Sequence, residues 1–184
     1  MKYSCENFTS LETIENSKLQ GGLRLQTNKK IVSEKPLLTI ITATFNSEKY
    51  LEECLLSLYN QNYSNYEHIV VDGGSTDRTV DIIKKYEHKI AYWCSKSDSG
   101  IYDAFNKGMQ LAKGKYLGFL NSDDKYTEKS LEILNKYIAS YPDIDFFFGS
   151  VKKHWGILYG YKPYKIYWSW GFYSSHSTGF FIKR

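Results

Sequence analysis

Cysteine is scarce in this chain of 184 residues: Cys5, Cys54 and Cys94 are an odd number without C-x-x-C spacing, which excludes a disulfide framework and a thiolate zinc site. Cys54 stands in helical series with Leu51, Leu55 and Leu58 and reads as a small core residue of a reducing compartment. No apolar run approaches the length of a membrane span. The opening stretch, with Glu6, Glu12 and Glu15, lacks the apolar centre of a secretion signal, so a cytoplasmic location is expected. Blocks of like charge are missing as well. The 24 Lys and Arg and 20 Asp and Glu are interspersed and leave a net charge of +4, a spread that argues against a nucleic-acid-binding face. Internal repeats and low-complexity tracts are absent. So is the G-x-G-x-x-G of a dinucleotide fold, whose place is held by Thr42-Ala43-Thr44-Phe45-Asn46.

What is present is an ordinary globular composition, 42% hydrophobic and 24% charged, with an unusual 17% of aromatics. The length suits one domain. Residues 1–35 show little periodicity and read as an N-terminal extension that packs loosely or shapes a neighbouring surface. From residue 36 to 184 strand and helix signals alternate. Leu37–Ile41, His68–Asp72, Ile90–Trp93 and Leu117–Leu120 are short apolar runs of strand type. Between them, helical faces are traced by Tyr50, Leu51, Cys54, Leu55 and Leu58, by Val80, Ile83 and Tyr86, and by Ile101, Phe105, Met109 and Ala112. Ser47 is the expected cap of the first helix. A further helix carries Leu131, Leu134 and Ile138, and Asp145-Phe146-Phe147-Phe148 reads as another buried strand. Such alternation requires crossovers, hence an α/β fold with a mostly parallel sheet, helices on both faces and ligands at the carboxyl ends of the strands. Asn46, Asp72, Asp98, Asp123 and Asp124 all fall at those ends.

Asn121-Ser122-Asp123-Asp124 follows a buried strand directly. Two adjacent carboxylates there repel each other and call for a cation, and hard oxygen ligands suit Mg²⁺ or Mn²⁺ together with a phosphate. An Asx turn capping the next helix is the alternative. In Asp72-Gly73-Gly74-Ser75-Thr76-Asp77 the glycines allow close backbone approach, but two acids fence it against a bare phosphate. A strand-end carboxylate of that kind can accept a hydrogen bond from a ring N–H such as the uracil imide. A plain turn capped by Ser75 or Asp77 stands beside that reading.

Thr39-Ile40-Ile41-Thr42-Ala43-Thr44-Phe45-Asn46, Val71-Asp72-Gly73-Gly74-Ser75-Thr76-Asp77 and Asn121-Ser122-Asp123-Asp124 resemble three ordered signatures of family 2 glycosyltransferases of the GT-A fold. The segment Ser97–Gly108 and Gly21-Gly22-Leu23-Arg24 are similar to a bacterial subgroup making surface polysaccharides of the colanic-acid type. The resemblance implies a Rossmann-like sheet and sugar transfer from a nucleotide-diphosphate sugar, a UDP-sugar in the first instance. A glycan or lipid-linked acceptor and inversion at the anomeric carbon are implied as well. It places Thr42, Thr44, Asn46 and Glu48 along the nucleoside and Asp72 on the uracil. Asp98 and Gly100 would line the nucleotide or sugar pocket, and Asn106 would support it. Ser122 and Asp123 would lie at the ribose and sugar. Asp124, with Asp123, would hold Mg²⁺ or Mn²⁺.

Two features depart from the pattern. Asn121 stands where the aspartate-x-aspartate form has a carboxylate. After Asp145 there is no Asp or Glu, so the family's general base has no counterpart, and the expectation is a C-terminally incomplete domain or a non-catalytic nucleotide-sugar or glycan-binding remnant. His176, in a segment resembling the one before that base, is the candidate substitute, with a structural imidazole as the simpler reading. Trp155, Tyr159, Tyr161, Tyr164, Tyr167, Trp168, Trp170, Phe172 and Tyr173, with Lys162 and Lys165, would suit sugar stacking or peripheral contact with the inner face of a membrane. A strand pair covering the sheet edge is the preferred reading of that stretch.

Overall fold

Runs rich in β-branched residues, separated by amphipathic stretches, condense into one mixed sheet between helices. The computed structural model describes residues 19–26, 35–153, 156–158 and 177–184; the aromatic stretch 159–173, Trp155 and His176 lie outside them. In chain order the elements are β1 (Leu19–Gly21), β2 (Leu38–Thr44), α1 (Leu51–Tyr59), β3 (Tyr66–Asp72) and α2 (Thr79–Lys85). They continue with β4 (Tyr92–Ser95), α3 (Ile101–Leu111), β5 (Tyr116–Phe119), α4 (Ser130–Ser140) and β6 (Phe146–Phe148). A small hairpin of β7 (Val151–Lys153) and β8 (Gly156–Leu158) and the strand β9 (Phe180–Lys183) complete them.

The seven-stranded sheet has the order β1-β4-β3-β2-β5-β9-β6. β4, β3, β2 and β5 are parallel, while β1 and β9 run antiparallel to their neighbours. From β2 the chain steps to β3 and β4 on one side and then returns to β5 on the other. That makes the junction of β2 and β5 a topological switch point, where open α/β sheets bind ligands. β2 runs past its last partner in β5, the pair Ile41 and Phe119, and the room this leaves is taken by the turn Asn121–Asp124.

All seven residues of β2 are buried, as a strand covered on both faces requires. Ile41, Ile69 and Val71 pack against Ala104, Phe105 and Leu111 of α3. On the other face Leu38 and Ile40 meet Cys54 and Leu58 of α1 and Leu131, Leu134 and Ile138 of α4. Val70 lies with Leu51 and Leu55 of α1 and Ile83 of α2. Gly108 lets α3 settle on β2, since a Cβ there would stand 2.4 Å from Cγ2 of Ile41.

Several expectations change. The first helix begins at Leu51 and takes no cap from a side chain; Ser47 instead offers its carbonyl to the amides of Tyr50 and Leu51. Ile101 is exposed, because α3 starts at the rim and its first turn projects beyond the sheet. Phe146 and Phe148 are exposed too, since β6 is the last strand and has a neighbour on one side only. Residues 19–26 do not pack loosely. β1 pairs with β4, and Arg24 reaches the buried Glu67 carboxylate and donates to the carbonyl of Leu111 at 2.8 Å. Glu67 also accepts from Thr39 Oγ1 at 2.7 Å and from the Lys113 amide at 2.6 Å.

Removing one partner of so enclosed a pair leaves a stranded charge. Arg24→Met is expected to cost about 3–5 kcal/mol in urea unfolding, and Arg24→Met with Glu67→Met to recover part of that loss. His68 supplies a second check. It sits between the hydroxyls of Thr42 and Tyr59, at 3.0 and 2.9 Å, and burial holds its pKa down to about 3 from 6.5. Between those values the unfolded chain binds a proton that the folded chain refuses, so stability rises with pH across that window and is lost on acidification. The slope from this group is up to about 1.4 kcal/mol per pH unit. His68→Gln should remove that component from unfolding curves measured at pH 4 to 7.

Candidate active site

The carboxyl ends of β2, β3, β4 and β5 surround a cavity of about 620 Å³. β2 contributes Ala43, Thr44 and Phe45, the turn after β3 contributes Gly73, and the loop into α3 contributes Ser97, Asp98, Gly100 and Ile101. Asn121, Ser122, Asp123 and Asp124 close it from β5.

The turn after β3 is built on Asp72. The register sets Thr44, Asp72 and Ser95 side by side on three strands. The Asp72 carboxylate is wholly buried and accepts from the amides of Gly74 and Ser75, at 3.1 and 2.9 Å. It also accepts from the hydroxyls of Ser75 and Ser95. Gly74 adopts φ +86°, the left-handed backbone this tight turn needs. Asp72 therefore shapes the wall without lining it, and the ring-reading place expected for it is filled by the protein's own donors.

A second layer ties the loop after β2 to this turn. The Asn46 amide donates to Ser75 Oγ at 2.8 Å, and Asn46 Oδ1 accepts from the Thr76 amide at 2.9 Å, with Asn46 itself in the left-handed region. The Glu48 amide donates to Asp77 Oδ2, and Glu48 Oε2 accepts from the Arg78 amide, both at 3.1 Å. Asp77 in turn accepts from the Thr79 amide at the start of α2, although the cap position expected for it is held by Arg78. Ser47 and Ser122 meet through their hydroxyls at 2.8 Å and join this layer to β5.

Of the residues singled out in the sequence, Thr44, Asp98, Gly100, Ser122, Asp123 and Asp124 line the cavity. Thr42 lies deeper, bonded to His68; Asn46 and Glu48 belong to the polar layer, and Asn106 is not on the wall. The Thr44 hydroxyl is buried at the wall without a partner among the described residues. Gly73 joins the wall for a reason no periodicity shows: a Cβ there would lie 3.0 Å from Oδ2 of Asp98. Asp98 Oδ1 accepts from the Gly100 amide at 2.9 Å.

Asp123 is exposed and Asp124 half-buried. Asp124 Oδ2 accepts from Asn121 Nδ2 at 2.9 Å and from the hydroxyl of Thr178. Thr178 is a buried residue in the short helical turn Ser177–Gly179 before β9. Fifty-four positions separate Thr178 from Asp124, and only the insertion of β9 beside β5 brings them together. Cys54 lies beneath, where burial and then the nearby Asp124 and Asp123 push its thiol up to about 12, so it stays protonated and donates to the Asn121 carbonyl.

Among the described residues no three His, Cys, Asp or Glu side chains converge. A divalent ion would thus have at most the two carboxylates Asp123 and Asp124. That suits Mg²⁺ or Mn²⁺, which keep water and take phosphate oxygens as their other ligands. The wall carries three carboxylates and, among the described residues, no Lys or Arg.

A family model, Glycosyl transferase family 2, matches residues 39–182. The glycosyltransferase TuaG of Bacillus subtilis, whose name ties it to teichuronic acid biosynthesis, is 39% identical over 101 residues, 53% of this chain and 40% of that protein. The chain spans less than half the length of the curated relatives it matches. Among solved structures, S. aureus TarS in complex with UDP-GlcNAc aligns with TM-score 0.56 and 30% identity, over 60% of this chain and 33% of that one. Mannosyltransferase PcManGT from Pyrobaculum calidifontis, in complex with GDP-Man and Mn²⁺, aligns with TM-score 0.63 at 22% identity, over 82% and 45%, a likeness of fold. No helix among the described residues is long and apolar enough to cross a membrane.

The two wall-forming aspartates differ in what they hold. Asp72→Ala strands four donors and is expected to cost about 3 kcal/mol or more in chemical denaturation, whereas Asp98→Ala, losing one amide partner, should cost about 1 kcal/mol.

Proposed function

The chain belongs to glycosyl transferase family 2, with the GT-A fold, and on that premise we propose that it transfers a sugar from a UDP-sugar to a glycan or lipid-linked acceptor. The observation that carries this reading is the wall of the cavity, acidic and without Lys or Arg among the described residues. A bare diphosphate is repelled there, and one that arrives with Mg²⁺ or Mn²⁺ is accepted by Asp123 and Asp124. The complex of TarS with UDP-GlcNAc supports a uridine nucleotide as the carrier.

In the reaction the bond from the sugar's anomeric carbon to the diphosphate oxygen breaks and a bond to the acceptor oxygen forms. UDP leaves with the electron pair and the acceptor hydroxyl loses a proton, with inversion if attack comes from the opposite side. A divalent ion bound at the pair would offset charge gathering on the leaving diphosphate. Asn121 and Thr178 hold Asp124 in place for it. Ser122 lines the space where ribose and sugar would lie, and the Thr44 hydroxyl is buried in the wall beside it with no partner among the described residues. The proton acceptor is assigned to no residue of this chain.

With UDP at a hundredfold excess over its Kd, Mn²⁺ should allow a stabilisation of about 2.7 kcal/mol, visible as a rise in Tm. UDP without metal should give little, and Asp124→Ala should remove the rise while keeping the far-UV spectrum. A wild-type Tm indifferent to UDP and Mn²⁺ together would rule the donor reading out. Release of UDP from UDP-sugars by this chain separates transferase from binding module.

A further inference from the structure

Asp72 stands at a strand end beside the cavity with its carboxylate closed off by four donors from the protein. Asp98 is in the opposite condition. It lines the cavity, its Oδ1 is held by the Gly100 amide, and among the described residues no donor reaches Oδ2. That carboxylate lies over Gly73, at 3.0 to 3.2 Å from where a Cβ would be, so the missing side chain at 73 is what gives it room. We infer that Asp98, seated over Gly73, selects the nucleobase of the donor by accepting the single ring N–H of uracil; the assignment rests on the donor reading above.

Position along the rim supports this. The acid pair follows β5, and Asp98 follows β4, three strands away in the order β5, β2, β3, β4. At about 4.8 Å per strand, and with the Asp98 carboxylate leaning over the end of β3, the two stand roughly 10 to 14 Å apart, room for a nucleoside diphosphate lying across the strand ends. With the diphosphate at Asp123 and Asp124, the base comes to Gly73 and Asp98. The chemistry of the free oxygen then decides among bases. Cytosine and adenine, held in the same place, turn a bare ring nitrogen toward such an acceptor, and two lone pairs repel; their exocyclic amine reaches the oxygen only if the base shifts. Guanine presents two adjacent N–H donors that match both oxygens of a carboxylate, and here one oxygen is engaged. Uracil offers one donor to one acceptor.

Calorimetric titration of the full chain with UDP, CDP, GDP and ADP, each with Mg²⁺, tests the assignment. The wild type should bind UDP more tightly than CDP by at least about tenfold, the worth of one charge-assisted hydrogen bond. In Asp98→Asn the amide can donate to the bare nitrogen of cytosine, and the preference should fall to within about threefold. Gly73→Ala, whose added methyl displaces the carboxylate, should lower the preference in the same direction with Tm and far-UV spectrum retained. Equal binding of UDP and CDP by the wild type, or a wild-type ratio in Asp98→Asn, overturns the role of Asp98 and leaves the donor reading standing. Failure of the wild type to bind any of the four nucleotides overturns both.

Discussion

The Asp72 carboxylate is buried under two amides and two hydroxyls, and the whole rim is hung from it. A carboxylate buried at the last position of a parallel strand loses its hydration, and charge-assisted hydrogen bonds offset that cost. Ser75 provides two of them, its amide and its hydroxyl, and the hydroxyl oxygen also receives the amide of Asn46. From there the chain of contacts runs by Ser47 to Ser122 beside the acid pair. Loops from β2, β3 and β5 are therefore set by one another, and the cavity has its shape before any ligand arrives. Such preorganisation is what lets fixed carboxylates act on charge that develops only during reaction.

The two ends of the sheet divide the work. At the amino end, Arg24 and Glu67 with Thr39 and the Lys113 amide form a closed polar knot that joins β1, β2, β3 and the end of α3. At the carboxyl end the polar groups are arranged in the reverse sense: the Asp72 carboxylate is closed off, the buried Thr44 hydroxyl is without a partner among the described residues, and Asp98 and Asp123 line the open cavity.

Much of this could be read from the chain because burial on both faces turns the parallel strands into apolar runs and leaves the helices a single apolar stripe. The central strands and all four helices stand where those patterns put them, with β4 shifted to Tyr92–Ser95. Patterns failed where exposure depends on position in the fold. Ile101 continues the stripe of α3 yet sits past the sheet, and Phe146 has strand character yet lies on an outer strand. Helix starts also eluded local rules: the Ser47 hydroxyl turns to Phe45 and Ser122 instead of capping α1, and the cap position of α2 falls on Arg78, one place after Asp77. In the site, the strand-end acids were legible as a group, but their separate duties were not. Which of them is saturated follows from the donors that fold onto each: Gly74, Ser75 and Ser95 close on Asp72, while Asp98 receives the Gly100 amide. Thr178 carries no local signal for its bond to Asp124, because its partner is chosen by the antiparallel placement of β9.

That placement has a consequence for how the protein is born. β9 lies between β5 and β6, yet it is made last of the three, after the hairpin of β7 and β8. On the ribosome β6 emerges with no strand to join, and β5 keeps a bare margin until residue 183 is delivered. A nascent chain in that interval displays two unpaired borders, one of them studded with phenylalanine, the condition in which strands most readily find the wrong partner. Closure of this side of the sheet and the gripping of Asp124 are thus a single event that waits on β9.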